Sequence, residues 1–163
     1  KVGGLEDAQI EAIARLQQAI ATTPDQGELK LERAQADLRA GLADAAVTER
    51  DNLPPNLAED AKAKRLRNQV DFARALDKAP DIDTLRARLA KDPADHAARD
   101  LLGVRLVIEG DAAAGLDEFL YILKTQRDWN GGAAKKRLIA AFDVLDDAEL
   151  IGTYRRKMAS LLV

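Results

Sequence analysis

The chain has 163 residues, no cysteine, 47 % apolar and 33 % charged side chains, and a formal net charge of −3. Without a thiol it can form no disulfide, no thiolate zinc site and no thiol redox couple. The weakly acidic balance argues against a nucleic-acid partner, and no apolar run approaches the ~18 residues that suggest a membrane span.

The apolar share leans on alanine, with one Trp, two Tyr and three Phe. That balance fits a helix-rich globular protein in which small side chains let helices approach closely. Lys1-Val2-Gly3-Gly4 is not a signal peptide and reads as the interior of a longer chain, so a further domain is expected upstream. A cytoplasmic location is the default expectation.

Apolar residues at helical spacing, from Leu5 to Ile20, predict a first helix over Leu5–Ala21, stopped by Thr22-Thr23-Pro24-Asp25. A second helix, Gln26–Ala40, ends at Gly41 as a left-handed cap. A third, Ala43–Leu53, ends at Pro54-Pro55. A long helix follows over Asn56–Lys78, with Leu57, Ala61, Leu66, Val70, Ala73 and Leu76 inward. After Ala79-Pro80-Asp81 comes a shorter helix, Ile82–Ala90. These two occupy the slot of a degenerate middle hairpin.

The next hairpin carries the clearest pattern: Leu102-Gly103, Leu106, Gly110, Gly115 and Phe119. Gly103 and Gly115 should face each other where two helices cross, with Leu106 and Phe119 filling the space between turns. Pro24, Gly41 and Ala46 of the first hairpin reappear as Pro93, Gly110 and Gly115, each 69 positions later. That offset is close to twice the roughly 34-residue period of a tetratricopeptide (TPR) repeat. Ala34 and Ala46 stand where Gly103 and Gly115 recur.

Beyond Lys124 the pattern stops. Asp128-Trp129-Asn130-Gly131-Gly132 forms a loop or helix entry. Helices over Ala133–Leu145 and from Ala148 to near the end follow. This pair fits the duty of covering the open edge of a stack. The expected fold is all-α: a right-handed solenoid of TPR-like helical hairpins over 1–163, a single domain with an atypical C-terminal capping pair.

The residues offer little catalytic chemistry. His96 and Ser160 are the single histidine and serine, and they fall on different elements. His96 reads as a structural or solvated residue at a helix start. Asp81, Asp83, Asp143, Asp146, Asp147 and Glu149 cluster near expected helix starts, where negative charge suits the helix dipole. The spacing of a calcium-binding loop is absent, so neither metal nor cofactor is expected. Lys135-Lys136-Arg137 reads as a solvated face. Trp129 is expected to be largely buried, plugging the junction between the last repeat hairpin and the terminal helices.

On the last helix, Leu150, Ile151, Tyr154, Met158, Leu161 and Leu162 should pack inward, with Arg155, Arg156 and Lys157 outward. Leu161, Leu162 and Val163 make an apolar end that could dock on a partner.

Arg127-Asp128-Trp129-Asn130, then Ala133-Ala134-Lys135-Lys136, Leu138 and Phe142, with the ending Tyr154-Arg155-Arg156-Lys157-Met158-Ala159-Ser160-Leu161-Leu162, resembles the C-terminal region of thioredoxin–TPR co-chaperones of the CnoX/YbbN type. The resemblance spans nearly the whole chain and is strongest over roughly its last 40 residues. It implies a holdase that binds unfolding clients, docks on a chaperonin or other folding chaperone, and is linked to cell redox homeostasis. By that resemblance docking would fall on Tyr154, Arg155, Arg156, Leu161 and Leu162; the basic Lys157 and the apolar end at Val163 extend the expected surface. The chain departs from the family in lacking a thioredoxin fold, and in Gly131-Gly132 where related chains often carry acidic residues. A generic TPR adaptor without chaperone activity is the alternative. An all-helical enzyme has little residue support.

Overall fold

The computed structural model describes residues 7–22, 27–53 and 61–163. Among these, nine α-helices and one 3-10 turn follow in order, with no strand. They are α1 (Asp7–Thr22), α2 (Gly27–Arg39), α3 (Ala43–Asp51), α4 (Ala61–Ala75), α5 (Ile82–Lys91), α6 (His96–Glu109), α7 (Ala112–Thr125), the turn Trp129–Gly131, α8 (Ala133–Val144) and α9 (Ala148–Leu162). The breaks expected at Pro24 and Pro54-Pro55, and Leu5 and Leu57 on the expected helix faces, lie outside the described residues. Contacts group the chain into two compact units, 1–73 and 74–163.

In the first unit α2 packs on both α1 and α3. The α2–α3 turn is closed by Gly41 at φ 80°, a left-handed conformation that costs glycine little. Leu42 N–H then donates to the Asp37 carbonyl at 2.8 Å. Ala34 and Ala46 are completely buried and share a core with Leu31, Leu53, Ala63, Leu66 and Val70. The fully buried Asp37 carboxylate is held by Arg33 one turn earlier, Nε to Oδ2 at 3.1 Å.

The long-helix expectation needs two corrections: the helix ends at Ala75 rather than Lys78, and its inner face differs. Ala61 is exposed, and the inner face is Ala63, Leu66 and Val70. The apolar face of α4 joins the α2–α3 core, whereas Leu85 of α5 joins Ala98, Leu102 and Leu106 of α6.

The second unit is a succession of adjacent helices: α5 on α6, α6 on α7, α7 on α8, and α9 against both α7 and α8. Four aspartates start its helices. Asp81, Asp95, Asp111 and Asp147 each accept the backbone N–H three residues on, at 2.8, 3.0, 3.3 and 3.0 Å. Such caps satisfy donors that a helix leaves unpaired. Hydrogen bonds from the Thr84 side chain and backbone hold the Asp81 carboxyl below its ordinary range. Asp83 and Glu149 sit in first turns, as expected. Asp143 does not, because it lies in the last turn of α8.

Gly110, at φ 105°, ends α6 and lets α7 begin two residues later. The α6–α7 hairpin then closes on its glycines. A Cβ built on Gly115 would lie 2.6 Å from the Gly103 carbonyl oxygen, and one on Gly103 would lie 2.5 Å from the Phe119 ring. The two helices therefore cross with Gly103 and Gly115 face to face. Phe119 is completely buried there, and Leu106 is buried beside Leu102. Arg105 of α6 secures the preceding turn by donating from Nη2 to the Ala79 carbonyl at 2.7 Å.

Candidate functional site

Two polar contacts seat the terminal helices. Arg137 of α8 donates from Nε and Nη2 to both carboxylate oxygens of Asp100 on α6, at 2.9 and 3.0 Å. The Asp100 side chain is 9 % and that of Arg137 23 % exposed. The fork geometry matches a carboxylate and fixes orientation as well as distance. This corrects the expectation of a solvated basic run: Lys135 and Lys136 are exposed, but Arg137 is a clamp. Reading α8 alone misses it, because its partner stands 37 positions earlier.

The second contact holds α9. Tyr154 is buried, and its hydroxyl lies 2.7 Å from Asp117 Oδ1 and 3.1 Å from the Ala113 carbonyl, both on α7. Burial, and then the bond to Asp117, push the phenol up from 10.0 to about 12. The folded protein keeps this proton over a range in which the unfolded chain has released it. The resulting stability is complete below pH 10, declines as pH rises toward about 12, and is lost above that. Tyr154→Phe is expected to abolish this component of the alkaline decline. Urea midpoints of the two proteins on either side of pH 10 check it.

Of the residues assigned to docking, Arg155, Arg156, Lys157 and Val163 are exposed. Tyr154 faces the body of the unit. Leu161 and Leu162 are partly buried rather than displayed, and Arg127 donates a hydrogen bond to the Leu161 carbonyl. The Arg155 guanidinium lies 5.6 Å from the centre of the Phe142 ring.

Trp129 is mostly but not completely buried. It occupies the one-turn 3-10 helix after α7, is partly exposed, and meets the His96 ring edge-on at 6.0 Å. Asn130, Gly131 and Gly132 follow with φ of 48°, 67° and 80°. This run of left-handed residues turns the chain into α8. Because its burial is incomplete, Trp129→Ala is expected to destabilise by only about 1–2 kcal/mol, below the range for a fully buried aromatic. The folded protein should emit between the maxima of buried and water-exposed indole.

His96 opens α6 and is buried, with 9 % exposure. Ser160 lies on α9 and donates its hydroxyl to the Lys157 carbonyl at 2.8 Å. The two do not form a nucleophile–base pair. Among the described residues no group of three His, Asp or Glu side chains is placed to hold a metal. No helix among them is long and apolar enough to cross a membrane.

A shallow groove of about 360 Å³ runs between α7 and α9. It is lined by Asp117, Leu120, Tyr121 and Lys124 of α7 and by Lys157, Ser160 and Leu161 of α9. The α7 members recur at helical spacing, but their grouping with α9 follows from how the two helices are seated. The sequence pattern alone does not single out Leu120, Tyr121 or Lys124.

A family model for the tetratricopeptide repeat matches residues 75–162, more than half of the chain and the whole of α5–α9. No curated protein matches. Among solved structures the chain is similar to a domain of protein VP0806, of unknown function, from Vibrio parahaemolyticus. Identity is 20 %, over 97 % of this chain and 100 % of that one, with a TM-score of 0.46. The helix succession, the glycine crossing of α6 and α7 and the matched span agree, and the chain belongs to the tetratricopeptide repeat family.

Proposed function

We propose that this repeat domain is the protein-interaction part of a holdase-type co-chaperone, binding unfolding clients and docking on a chaperonin through α9. TPR domains serve as protein-interaction scaffolds, and repeat stacks present extended surfaces for partners. The observation that carries the finer reading is the exposed Arg155–Arg156 pair on a helix anchored from its other face by Tyr154. The resemblance of residues 127–142 and 154–162 to thioredoxin–TPR co-chaperones supports the same assignment. On this reading any thiol chemistry belongs to a thioredoxin-fold domain outside this cysteine-free chain, and the protein works in the cytoplasm.

Charge reversal tests docking more cleanly than truncation. Removing Ser160 to Val163 would also remove the partly buried Leu161 and its contact with Arg127. Arg155→Glu with Arg156→Glu should leave the circular dichroism spectrum unchanged and sharply reduce co-sedimentation with chaperonin. Undiminished co-sedimentation would move docking elsewhere. The holdase role is read separately, by light scattering of a thermally unfolding enzyme. If the protein does not suppress aggregation, the generic adaptor reading takes its place.

A further inference from the structure

We propose that the α7–α9 groove is a docking site for an extended acidic peptide carrying an apolar anchor residue. The proposal rests on the reading of this domain as a protein-interaction module and names a surface and a ligand chemistry for it.

The two helices lie side by side and run in the same direction. Tyr154 meets Ala113 and Asp117 at one end, and Arg127 meets the Leu161 carbonyl at the other. Their facing stripes are Asp117, Leu120, Tyr121 and Lys124 on one side and Lys157, Ser160 and Leu161 on the other. Leu120, Leu161 and the Tyr121 ring give an apolar floor, and Tyr121 is 40 % exposed despite its size. Its ring is braced by the Arg99 guanidinium, 3.8 Å from the ring centre. A rigid, half-open aromatic beside aliphatic side chains is the kind of surface on which binding energy concentrates.

Charge specifies the occupant. Arg99 is paired with Glu118 at 2.7 Å, so its charge is compensated. Among the described residues neither Lys124 nor Lys157 has a carboxylate within ion-pair distance, although Lys157 Nζ lies 4.5 Å from the Tyr154 ring centre. The carboxylate in the groove, Asp117, accepts the Tyr154 hydroxyl at the opposite end from Lys124. An acidic residue is thus attracted at the Lys124 end and repelled beside Asp117. This sets the direction of a bound chain: carboxylates toward Lys124, apolar anchor over Leu120, Tyr121 and Leu161. A cleft between two helices accepts a single extended chain better than it accepts a flat membrane.

The test uses three fluorescein-labelled eight-residue peptides. One has a Leu-Phe pair with glutamates on one side only, one replaces the glutamates with lysines, and one replaces Leu-Phe with serines. Fluorescence polarisation measures binding, and amide chemical shifts of the labelled protein map it. The acidic apolar peptide should bind best, shifting Leu120, Tyr121, Lys124, Lys157 and Ser160. Lys124→Glu with Lys157→Glu should weaken it by about tenfold or more, as should high salt, with circular dichroism unchanged. Lys135→Glu with Lys136→Glu on α8 should have no such effect.

The proposal is overturned if the acidic peptide does not bind, if the lysine peptide binds as well, if the shifts fall on other helices, or if charge reversal in the groove changes nothing. Phosphatidylserine vesicles bound through the same lysines, in the absence of peptide binding, would overturn it in favour of a lipid surface. Cellular partners kept equally by the wild type and the Lys124/Lys157 variant would sink the groove and leave the interaction reading standing. A wild type that keeps none would sink that broader reading.

Discussion

Gly115→Leu is expected to destabilise the protein by about 3 kcal/mol, at the upper end of ordinary overpacking. A Cβ on Gly115 meets the Gly103 carbonyl oxygen at 2.6 Å, Val107 Cγ2 at 2.7 Å and the Val107 nitrogen at 2.9 Å. Two of these three atoms belong to the α6 backbone, so no side-chain rotation relieves the clash. Helix α7 must move away from α6 and loosen the packing around the buried Phe119. Replacing glycine in a helix normally gains up to about 1 kcal/mol, too little to offset the clash. Gly152 in α9 provides the control. A Cβ there meets only Arg156 Nη1, at 3.6 Å, so Gly152→Ala should be neutral or stabilising. Urea unfolding of the two variants reads the contrast directly. Equal midpoints would mean that the α6–α7 crossing is not close.

Asp100→Ala is expected to cost about 3 kcal/mol, near the lower end for removing one partner of a buried ion pair. The change leaves the Arg137 guanidinium, 23 % exposed, without its bidentate acceptor. Residual exposure keeps the loss from being larger. Removing both partners, as Asp100→Ala with Arg137→Met, should cost less than the sum of the single changes, since the bidentate contact is then lost only once. A double-mutant cycle measures that difference. Strict additivity would show that the clamp contributes nothing as a pair.

The parts of this fold that were legible in the sequence are those set by local chemistry. Gly41 and Gly110 end helices because a left-handed residue is needed there, and the aspartates before α5 and α9 cap them. The spacing of Gly103, Leu106, Gly115 and Phe119 reports a helix crossing because tight approach requires missing side chains at fixed positions. What was not legible depends on partners far away in the chain. Arg137 looks like its exposed lysine neighbours until Asp100 is placed beside it. Trp129 looks like a core residue by size, but it stays partly open. α4 shows its inner face only once Ala63, Leu66 and Val70 are placed beside Leu31, Ala34 and Ala46. The docking residues show the same division. Exposure of Arg155 and Arg156 follows from helical spacing, whereas the groove beside Lys157 is created by the seating of α9 on α7.

The molecule is expected to work by binding other proteins on its packed helical hairpins. Quantitative affinity capture from native extract, with wild type and Gly115→Leu compared at a temperature where both remain soluble, tests that claim most directly. The wild type should retain a small, saturable set of proteins, depleted when the α6–α7 crossing is forced apart. No protein retained above a matched control, or a set indifferent to the disrupted stack, would contradict it.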